Sequence, residues 1–321
     1  MPEFRPRETL QVEPTQTRSI ETARKDLSRP PQCPGTVSGM CHNCSCPECT
    51  ARQTDMVSKY RYEEFTWPEI REAVAQNRVC VLPVGTVEQH GPHLPLVTDV
   101  LTAAEMSRMA VERMPDEAIL MPPVYYAFNE HHMDFPGTIA IAGDTFVHYV
   151  TDIGVSLARH GFRKILLVNG HGSNVPFLDI AARNITNQTE AICAMTPWWS
   201  LIPRNLLEKL RESEFPGGMA HGCELETSVL LYLRGDLVQF EKATRDIHFQ
   251  KTEFFYWDLA APSPVFFQEW FSRYSKTGTV GDPTKATREK GRQFVEAVVE
   301  RMVRLLKEFR QREIGPRTDH H

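Results

Sequence analysis

Short apolar runs alternate along the chain with stretches in which apolar residues recur at helical spacing. The run Val79–Val84 is almost continuously apolar and ends at Gly85, a pattern typical of a buried parallel strand. Similar runs predict further strands at 118–121, 165–168 and 191–195. Helical spacing predicts helices over 102–114, 145–160 and 177–187, and a long terminal helix over 285–310.

The order of these elements determines the expected architecture. Strands that alternate with helices predict an α/β fold with a parallel sheet, whose crossovers are right-handed. In such folds the functional site lies at the carboxyl ends of the strands. The loops that directly follow strands are therefore the places where we expect the chemistry of the protein.

The composition of the chain changes near residue 56. Residues 1–55 contain Pro, Thr, Arg, Gln and Ser but few large apolar residues, so they cannot bury enough surface to offset the entropy of ordering. We expect a disordered, cysteine-rich extension over 1–55, a globular domain over 56–312 and a flexible tail over 313–321.

Charge and hydropathy narrow the classes of function. The chain of 321 residues has a formal net charge of -5, without the basic excess that nucleic-acid-binding proteins usually carry. It contains no run of about 18 apolar residues, so we expect no membrane span. The first residues lack the apolar stretch of a secretory leader, and we expect a cytoplasmic location.

The loop after the first predicted strand carries the densest group of potential metal ligands. Glu88, His90, His93 and Asp99 fall within twelve residues of one another. Imidazole and carboxylate groups are ligands that suit Zn²⁺, Mn²⁺ or Fe²⁺. A polar surface loop is the alternative interpretation, but four such residues directly after a buried strand favour a metal site.

Two other predicted strands are also followed by polar loops. The segment 169–174 places His171 at the end of the third strand, although a glycine-rich phosphate turn explains that segment alone equally well. The second strand leads into a loop that either binds substrate or is simply polar. Its candidate residues are Glu130, His131, His132 and Asp134.

The segment 220–228 leads into an apolar helix. Glu226 precedes the apolar residues of the next two turns at helical spacing, so its carboxylate lies on the core-facing stripe. A buried carboxylate is costly without a partner, and a metal ion is one such partner. Glu224 lies about 200° around an ideal helix from Glu226. We therefore interpret Glu224 as a first-turn carboxylate that favours the helix dipole.

Two further features each allow two interpretations. Trp198 and Trp199 follow the fourth predicted strand and form either an aromatic wall for a flat substrate or ordinary core packing. The cysteines between Cys41 and Cys49 have the spacing C-x2-C-x-C-x2-C. Four thiols in this arrangement form either a Zn²⁺ or iron–sulfur site or a flexible thiol-bearing tail.

The order and content of these segments resemble the creatininase family of creatinine amidohydrolases. The matching segments are GTVEQHGPHLPLVTD at 85–99, HHMDFPGT at 131–138, NGHGSN at 169–174, AHGCELETS at 220–228 and GTVGDPTKATREKG at 278–291. They occur in family order over roughly residues 57–310, and the first is long and specific. The resemblance does not extend to the cysteine-rich extension.

This resemblance implies a doubly wound, mostly parallel α/β sheet flanked by helices, with two divalent metal ions (Zn, Mn or Fe) and often a hexameric assembly. Carried onto this chain, Glu88 and His171 would hold one ion and His90 the other. Asp99 would bridge the two ions.

One position departs from the pattern of creatininase proper. That enzyme has a glutamate ligand two residues after the histidine of its NGH motif, where this chain has Ser173. The departure argues against creatinine as substrate, and the helical geometry suggests Glu226 as the replacement ligand. His221 matches the family histidine that is assigned to proton transfer.

The function we expect is hydrolysis of a small cyclic or linear amide (a lactam, a formamide or a short peptide) by a metal-activated water, in a homo-oligomer. His221 and Glu226 are the candidate catalytic residues. The candidates for substrate binding are His132, Ser173, Trp198 and Trp199. The alternative is a redox or metal-binding protein that works through the cysteine segment, with the α/β domain as its scaffold.

Overall fold

A parallel sheet forms the framework of the structure, which is a computed structural model that describes residues 59–261 and 263–321. Its strands are β1 (Val79–Val84), β2 (Ala118–Leu120), β3 (Lys164–Asn169) and β4 (Ile192–Pro197), in the order β2-β1-β3-β4. The predicted extension over 1–55 and its cysteine segment lie outside the described residues.

The strand order creates a switch point between β1 and β3. β1 pairs in parallel with β2 on one side and with β3 on the other. The carboxyl ends of β1 and β3 therefore adjoin, with Val84 opposite Asn169. Ligands of doubly wound folds bind outside such a point, because the loops leave it in opposite directions and open a crevice.

Helices cover both faces of this sheet. Those of the described residues are α1 (Trp67–Ala75), α2 (Thr98–Val111), α3 (Gly143–Arg159), α4 (Val175–Gln188), α5 (Arg204–Leu210), α6 (Glu224–Arg234), α7 (Phe271–Tyr274) and α8 (Arg288–Gln311). α2, α6 and α8 share a hydrophobic core on one face, and α1, α3 and α4 share another on the opposite face.

The side chains of β1 alternate between these two cores. Val79 and Val81 belong to the core of α2, α6 and α8, whereas Cys80, Leu82 and Val84 belong to the core of α1, α3 and α4. A strand that is buried on both faces needs an apolar residue at nearly every position, which explains the continuous pattern in the sequence. The prediction of a doubly wound α/β fold is confirmed.

Two helix starts differ from the prediction by more than two residues. α2 begins at Thr98 rather than at residue 102, because its first two residues, Thr98 and Asp99, are buried polar residues that an apolar pattern does not reveal. The Thr98 hydroxyl donates a hydrogen bond to the backbone oxygen of Pro95, at 2.7 Å. α8 begins at Arg288 rather than at residue 285, because the Thr287 hydroxyl accepts from the backbone nitrogen of Lys290 and caps the helix.

Several short elements were absent from the prediction. They are α1, α5, α7 and an antiparallel pair formed by β5 (Met219–His221) and β6 (Val280–Gly281). α1 did carry a signal, since Thr66 and Glu69 form a capping box around its start. The paired strands of three and two residues are too short for a sequence pattern.

Two expectations concern membrane spans and the carboxyl-terminal tail. None of the helices within the described ranges has the length and hydropathy that a membrane crossing requires. Residues 313–321 contain no helix or strand, and their flexibility stays a prediction.

Candidate metal centre

The predicted metal ligands reach one site from four elements. Glu88 and His90 follow β1, and His171 follows β3, so the switch point brings their loops together. Asp99 lies in the first turn of α2, and Glu226 lies in the first turn of α6. All five side chains are buried.

Two glycines allow α2 to approach the strand ends closely. A Cβ atom on Gly85 would lie 2.4 Å from the backbone nitrogen of Val100, and one on Gly170 would lie 2.1 Å from the backbone oxygen of Asp99. Such distances are too short for any real contact, so a side chain at either glycine would push α2 away. The two glycines thus set the position of the Asp99 carboxylate.

The Asp99 carboxylate lies between two histidines. Its Oδ1 is 2.9 Å from Nε2 of His90, and its Oδ2 is 3.2 Å from Nδ1 of His171. The Thr86 hydroxyl donates a hydrogen bond of 2.6 Å to Oδ2 and holds the carboxylate in this orientation. Each oxygen of one carboxylate therefore faces a different imidazole.

Two more carboxylates complete the cluster. Oε1 of Glu88 lies 3.1 Å from Nδ1 of His171 and 3.9 Å from Nδ1 of His221. Oε1 of Glu226 lies 4.0 Å from Nε2 of His90. These distances are suitable for a cation between the groups.

The ligand atoms fall into three overlapping groups. Within each group they all lie within 4.8 Å of one another. The groups are Glu88–Asp99–His171, His90–Asp99–Glu226 and Glu88–His90–His221. Asp99 belongs to the first two groups, which is the placement expected for a carboxylate between two ions.

The buried charges shift the pKa values of one another. Burial alone would lower the pKa of His90 and His171, but the neighbouring carboxylates raise these values to about 9 and about 10. Burial would raise the pKa of Asp99, but the same two histidines hold it well below its usual range. Burial raises the pKa of Glu226 to about 7. Protons on the histidines thus balance the carboxylates, and divalent cations can replace those protons.

The residues of the site fit a pair of divalent ions. Both carboxylate oxygens of Glu88 are buried, and the contacts given for Oε1 within the described residues are to imidazole nitrogens, with Nδ1 of His171 at 3.1 Å. Such a group carries a desolvation cost that a cation removes. Mixed imidazole and carboxylate ligands suit Zn²⁺, Mn²⁺ and Fe²⁺.

Comparison with known families identifies the family of the chain. The sequence model of the family described as "Creatininase: Creatinine amidohydrolase" matches residues 63–306. The chain belongs to the creatininase family. Family membership makes it a hydrolase of the amidohydrolase class, and residues 63–306 contain every residue of the cluster.

Two curated relatives match most of the chain. One is creatinine amidohydrolase from Pseudomonas putida, 30% identical over 259 residues, which cover 76% of this chain and 95% of the relative. The other is mycofactocin precursor peptide peptidase from Mycobacterium tuberculosis, 30% identical over 240 residues, which cover 70% and 82% respectively. These two relatives have names that refer to different substrates.

Solved creatininases share the fold. One described as "Creatininase Mn" has a TM-score of 0.67 at 29% identity, and the alignment covers 79% of this chain and all of that one. A mutant creatininase of "Zn-Zn type" has a TM-score of 0.66 at 29% identity, over 79% of this chain and 99% of that one. Both descriptions name metals that suit the ligands found here.

Glu224 lies apart from the cluster of potential metal ligands, as the helical geometry predicts. Its fully buried carboxylate accepts from Nζ of Lys290 at 2.6 Å and from the backbone nitrogen of Ser213 at 2.8 Å. The charge of Glu224 therefore has a partner on α8, in addition to a favourable place in the first turn of α6.

Two of the predicted substrate-binding residues lie beside the cluster. Nε2 of His132 is 3.6 Å from Oε1 of Glu88, and the His132 side chain is buried. Ser173 is half-buried, and its hydroxyl lies 3.0 Å from Nε2 of His131. Their role in binding substrate stays a prediction.

The predicted aromatic wall is wrong for Trp198. Its side chain is 1% exposed and belongs to the core that α2, α6 and α8 share, so substrate cannot reach it. Core packing is therefore the correct interpretation, since a large ring fills the space next to the end of β4. Trp199 is half-buried against the same core, with its ring centre 5.9 Å from that of Trp198.

The other polar candidates fall outside the three ligand groups. Nε2 of His93 lies 2.9 Å from the Thr227 hydroxyl. Glu130 and Asp134 are exposed, and the Asp134 carboxylate accepts a hydrogen bond from the Ser272 hydroxyl.

Sequence reasoning missed two residues that contact the site histidines. Gln89 makes close contacts with His132 and His221 through its side-chain amide and backbone oxygen. The fully buried ring of Phe271 lies 4.2 Å from the His132 ring and 4.7 Å from the His221 ring, measured between ring centres. The position of Gln89 between two candidate ligands was an available signal. Nothing in the sequence around Phe271 distinguishes it from other apolar residues.

Proposed function

We propose that the protein is a binuclear metal-dependent amidohydrolase that cleaves a small cyclic or linear amide, namely a lactam, a formamide or a short peptide. The names of the two relatives, one for creatinine and one for a peptide, support this range of substrates. The cluster of buried ligands supports the need for metal.

One observation carries the binuclear part of the proposal. Asp99 directs one oxygen to His90 and the other to His171, at 2.9 and 3.2 Å. A carboxylate with both oxygens engaged on opposite sides is the usual bridge of a two-metal site. Glu88 with His171 would hold one ion, and Glu226 with His90 would hold the other.

The remaining residues would divide the chemistry of amide hydrolysis. Bound divalent ions would supply Lewis acidity for the amide carbonyl and for a water molecule. Burial lowers the pKa of His221 well below its usual range, and this favours the neutral imidazole, the form with a free lone pair. Nδ1 of His221 lies 3.9 Å from Glu88, and we assign His221 to proton transfer toward the leaving nitrogen. His132 and Ser173 would contact the substrate.

The proposal is tested by metal content and hydrolysis together. The purified protein is loaded with Zn²⁺ or Mn²⁺ and assayed with a lactam, a formamide and a short peptide. We expect two ions per chain by elemental analysis and hydrolysis of at least one of these classes. A chain that binds two ions but hydrolyses none of them would disprove the substrate class, and one bound ion would disprove the binuclear centre.

A further inference from the structure

The amide of Gln89 is held in one orientation inside the protein. Its Oε1 accepts a hydrogen bond of 2.9 Å from the backbone nitrogen of Gly91, so its NH₂ group must point the other way. Gly278 leaves the space for this amide, because a Cβ atom there would lie 2.0 Å from Oε1. The Gln89 side chain is 6% exposed. The direction of its two N–H donors is therefore fixed by the fold.

These donors face His132. Nε2 of Gln89 lies 3.0 Å from Nδ1 of His132. The amide nitrogen can only donate, so Nδ1 of His132 must accept and carries no proton. The ring proton of His132 is then on Nε2, the atom that faces Oε1 of Glu88 at 3.6 Å. His132 consequently presents an N–H group to the site.

The backbone of the same residue determines the proton position of His221. Nε2 of His221 lies 2.7 Å from the carbonyl oxygen of Gln89, which can only accept, so Nε2 carries the proton. The longer contact of 3.2 Å between this nitrogen and the Gln89 amide nitrogen then joins two donors and is not a hydrogen bond. The lone pair of Nδ1 faces Glu88.

Phe271 keeps both imidazoles against Gln89. Its ring stacks on His132 at an interplanar angle of 29° and meets His221 at 62°. The apolar ring offers neither imidazole a competing hydrogen bond, so the polar contacts of Gln89 determine how each is oriented.

We propose that Gln89 is a positioning residue that sets opposite roles for two histidines, so that His132 offers an N–H donor and His221 a lone pair beside Glu88. The N–H of His132 suits the oxygen of a substrate amide, and the lone pair of His221 suits a proton in transfer. The catalytic meaning of this arrangement rests on the proposed amidohydrolase function. The tautomers themselves do not depend on it.

Gln89→Glu tests the inference, because it keeps the shape and the acceptor for Gly91 but removes the N–H donor. Two-bond ¹H–¹⁵N NMR correlations of ¹⁵N-histidine-labelled, zinc-loaded protein report which ring nitrogens carry protons. In the unsubstituted protein we expect protons on Nε2 of both His132 and His221. In Gln89→Glu we expect Nδ1 of His132 to gain a proton. His221 should be unchanged, since its partner is a backbone carbonyl, and it serves as the internal control.

Kinetics and metal content provide a second readout. We expect kcat to fall by at least about tenfold with KM within about twofold, because the substitution keeps the shape of the side chain and changes the proton positions that act in the chemical step. The metal content should stay the same. Gln188→Glu, the same substitution at an exposed position at the end of α4, controls for the added charge and should retain full activity.

Each outcome separates this inference from the proposed function. A proton on Nδ1 of His132 in the unsubstituted protein, or no change in Gln89→Glu, would overturn the role of Gln89. If Gln89→Glu fails to fold, the tautomers of the unsubstituted protein still decide. If the protein shows the expected tautomers but hydrolyses no amide, the proposed amidohydrolase function is refuted. The positioning role of Gln89 is then unaffected.

Discussion

Asp99 is the residue on which both halves of the candidate metal centre depend. Its two oxygens face His90 and His171, so its removal takes a ligand from each ion at once. We predict that Asp99→Ala loses both metal ions and all hydrolysis, as measured by elemental analysis and amide cleavage. Ser107→Ala, at another buried polar position of α2, is the control and should keep two ions. Full metal content in Asp99→Ala would contradict the bridging assignment.

Substitutions of Glu226 and of Ser173 are predicted to have different effects on the binding of the second ion. Oε1 of Glu226 is 4.0 Å from Nε2 of His90, whereas the Ser173 hydroxyl lies against His131. We expect Glu226→Gln to lose one ion selectively, because a neutral amide is a weaker ligand than a carboxylate. Ser173→Ala should keep both ions. Metal content by mass spectrometry distinguishes the two, and the reverse result would show that Ser173 is the ligand.

The location of a single side chain was predictable where helical geometry or strand order determines it. The angular separation on a helix predicted different surroundings for Glu226 and Glu224, and the structure places Glu226 near His90 and Asp99 and Glu224 against Lys290. That Glu226 binds a metal ion stays a prediction. For Trp198, an aromatic wall and core packing both stayed open, because a loop position after a strand does not reveal that the ring belongs to the core shared by α2, α6 and α8. Phe271 was missed because its contact with His132 joins segments far apart in the sequence.

At the scale of elements, a buried ion pair joins α6 to α8. Glu224 and Lys290 are both buried, and Lys290 lies 2.6 Å from each of two carboxylates, Glu224 and Glu212. We predict that Glu224→Gln destabilises the protein by about 3 kcal/mol, because it leaves a buried ammonium without its buried partner. The two backbone donors at Glu212 and Ser213 keep an acceptor. Urea unfolding measures this change.

An exposed pair supplies the matched control for that measurement. Arg204 and Glu208 form a salt bridge of 2.8 Å with both side chains largely exposed. Glu208→Gln should cost at most about 0.5 kcal/mol, since water screens such pairs. Equal effects of the two substitutions would mean that the Glu224–Lys290 pair contributes no more than a surface contact.

Elements were predictable in proportion to how much of their pattern is hydrophobic. β1 and β3 are buried on both faces, so their continuous apolar runs were identified within one residue of their ends. The predicted start of α2 is too late, because Thr98 and Asp99 in its first turn are buried but polar. A search for apolar residues at helical spacing does not include them. β6 has two residues and exists through its pairing with β5, which no local pattern encodes.

For the whole molecule, the separation of the extension from the folded domain is the main testable expectation. All the candidate ligands lie between Glu88 and Glu226, and residues 1–55 contain few large apolar residues. We predict that deletion of 1–55 changes the melting temperature by less than about 2 °C, because little buried surface is lost. Amide hydrolysis should be unchanged.

Scanning calorimetry, metal analysis and the hydrolysis rate test this deletion. Total metal falls without loss of activity if the cysteine segment binds an ion of its own. A large drop in melting temperature would show that the extension packs on the domain. An intact fold without hydrolysis would favour the alternative in which the cysteine segment carries the function.

The overall fold class was predictable because strand–helix alternation has few solutions. The doubly wound order came from the family motifs rather than from the apolar pattern, since periodicity does not specify which strands are neighbours. The homo-oligomeric state and the cytoplasmic location stay predictions. Oligomeric state depends on surfaces whose partners a single chain does not contain.

The switch point between β1 and β3 has a consequence for how such a protein can evolve. The cluster around Asp99 is anchored by strand ends and by first turns of helices, whereas the loop 129–138 and the segment that carries Phe271 only border it. Mutations in these bordering segments, at positions other than His132 and Phe271, can change the surroundings of the cluster while its ligands stay on the strand ends and helix turns. Selection can therefore exchange one substrate for another at positions of these segments other than His132 and Phe271 while the ligand cluster is kept, and libraries for directed evolution are best confined to those positions.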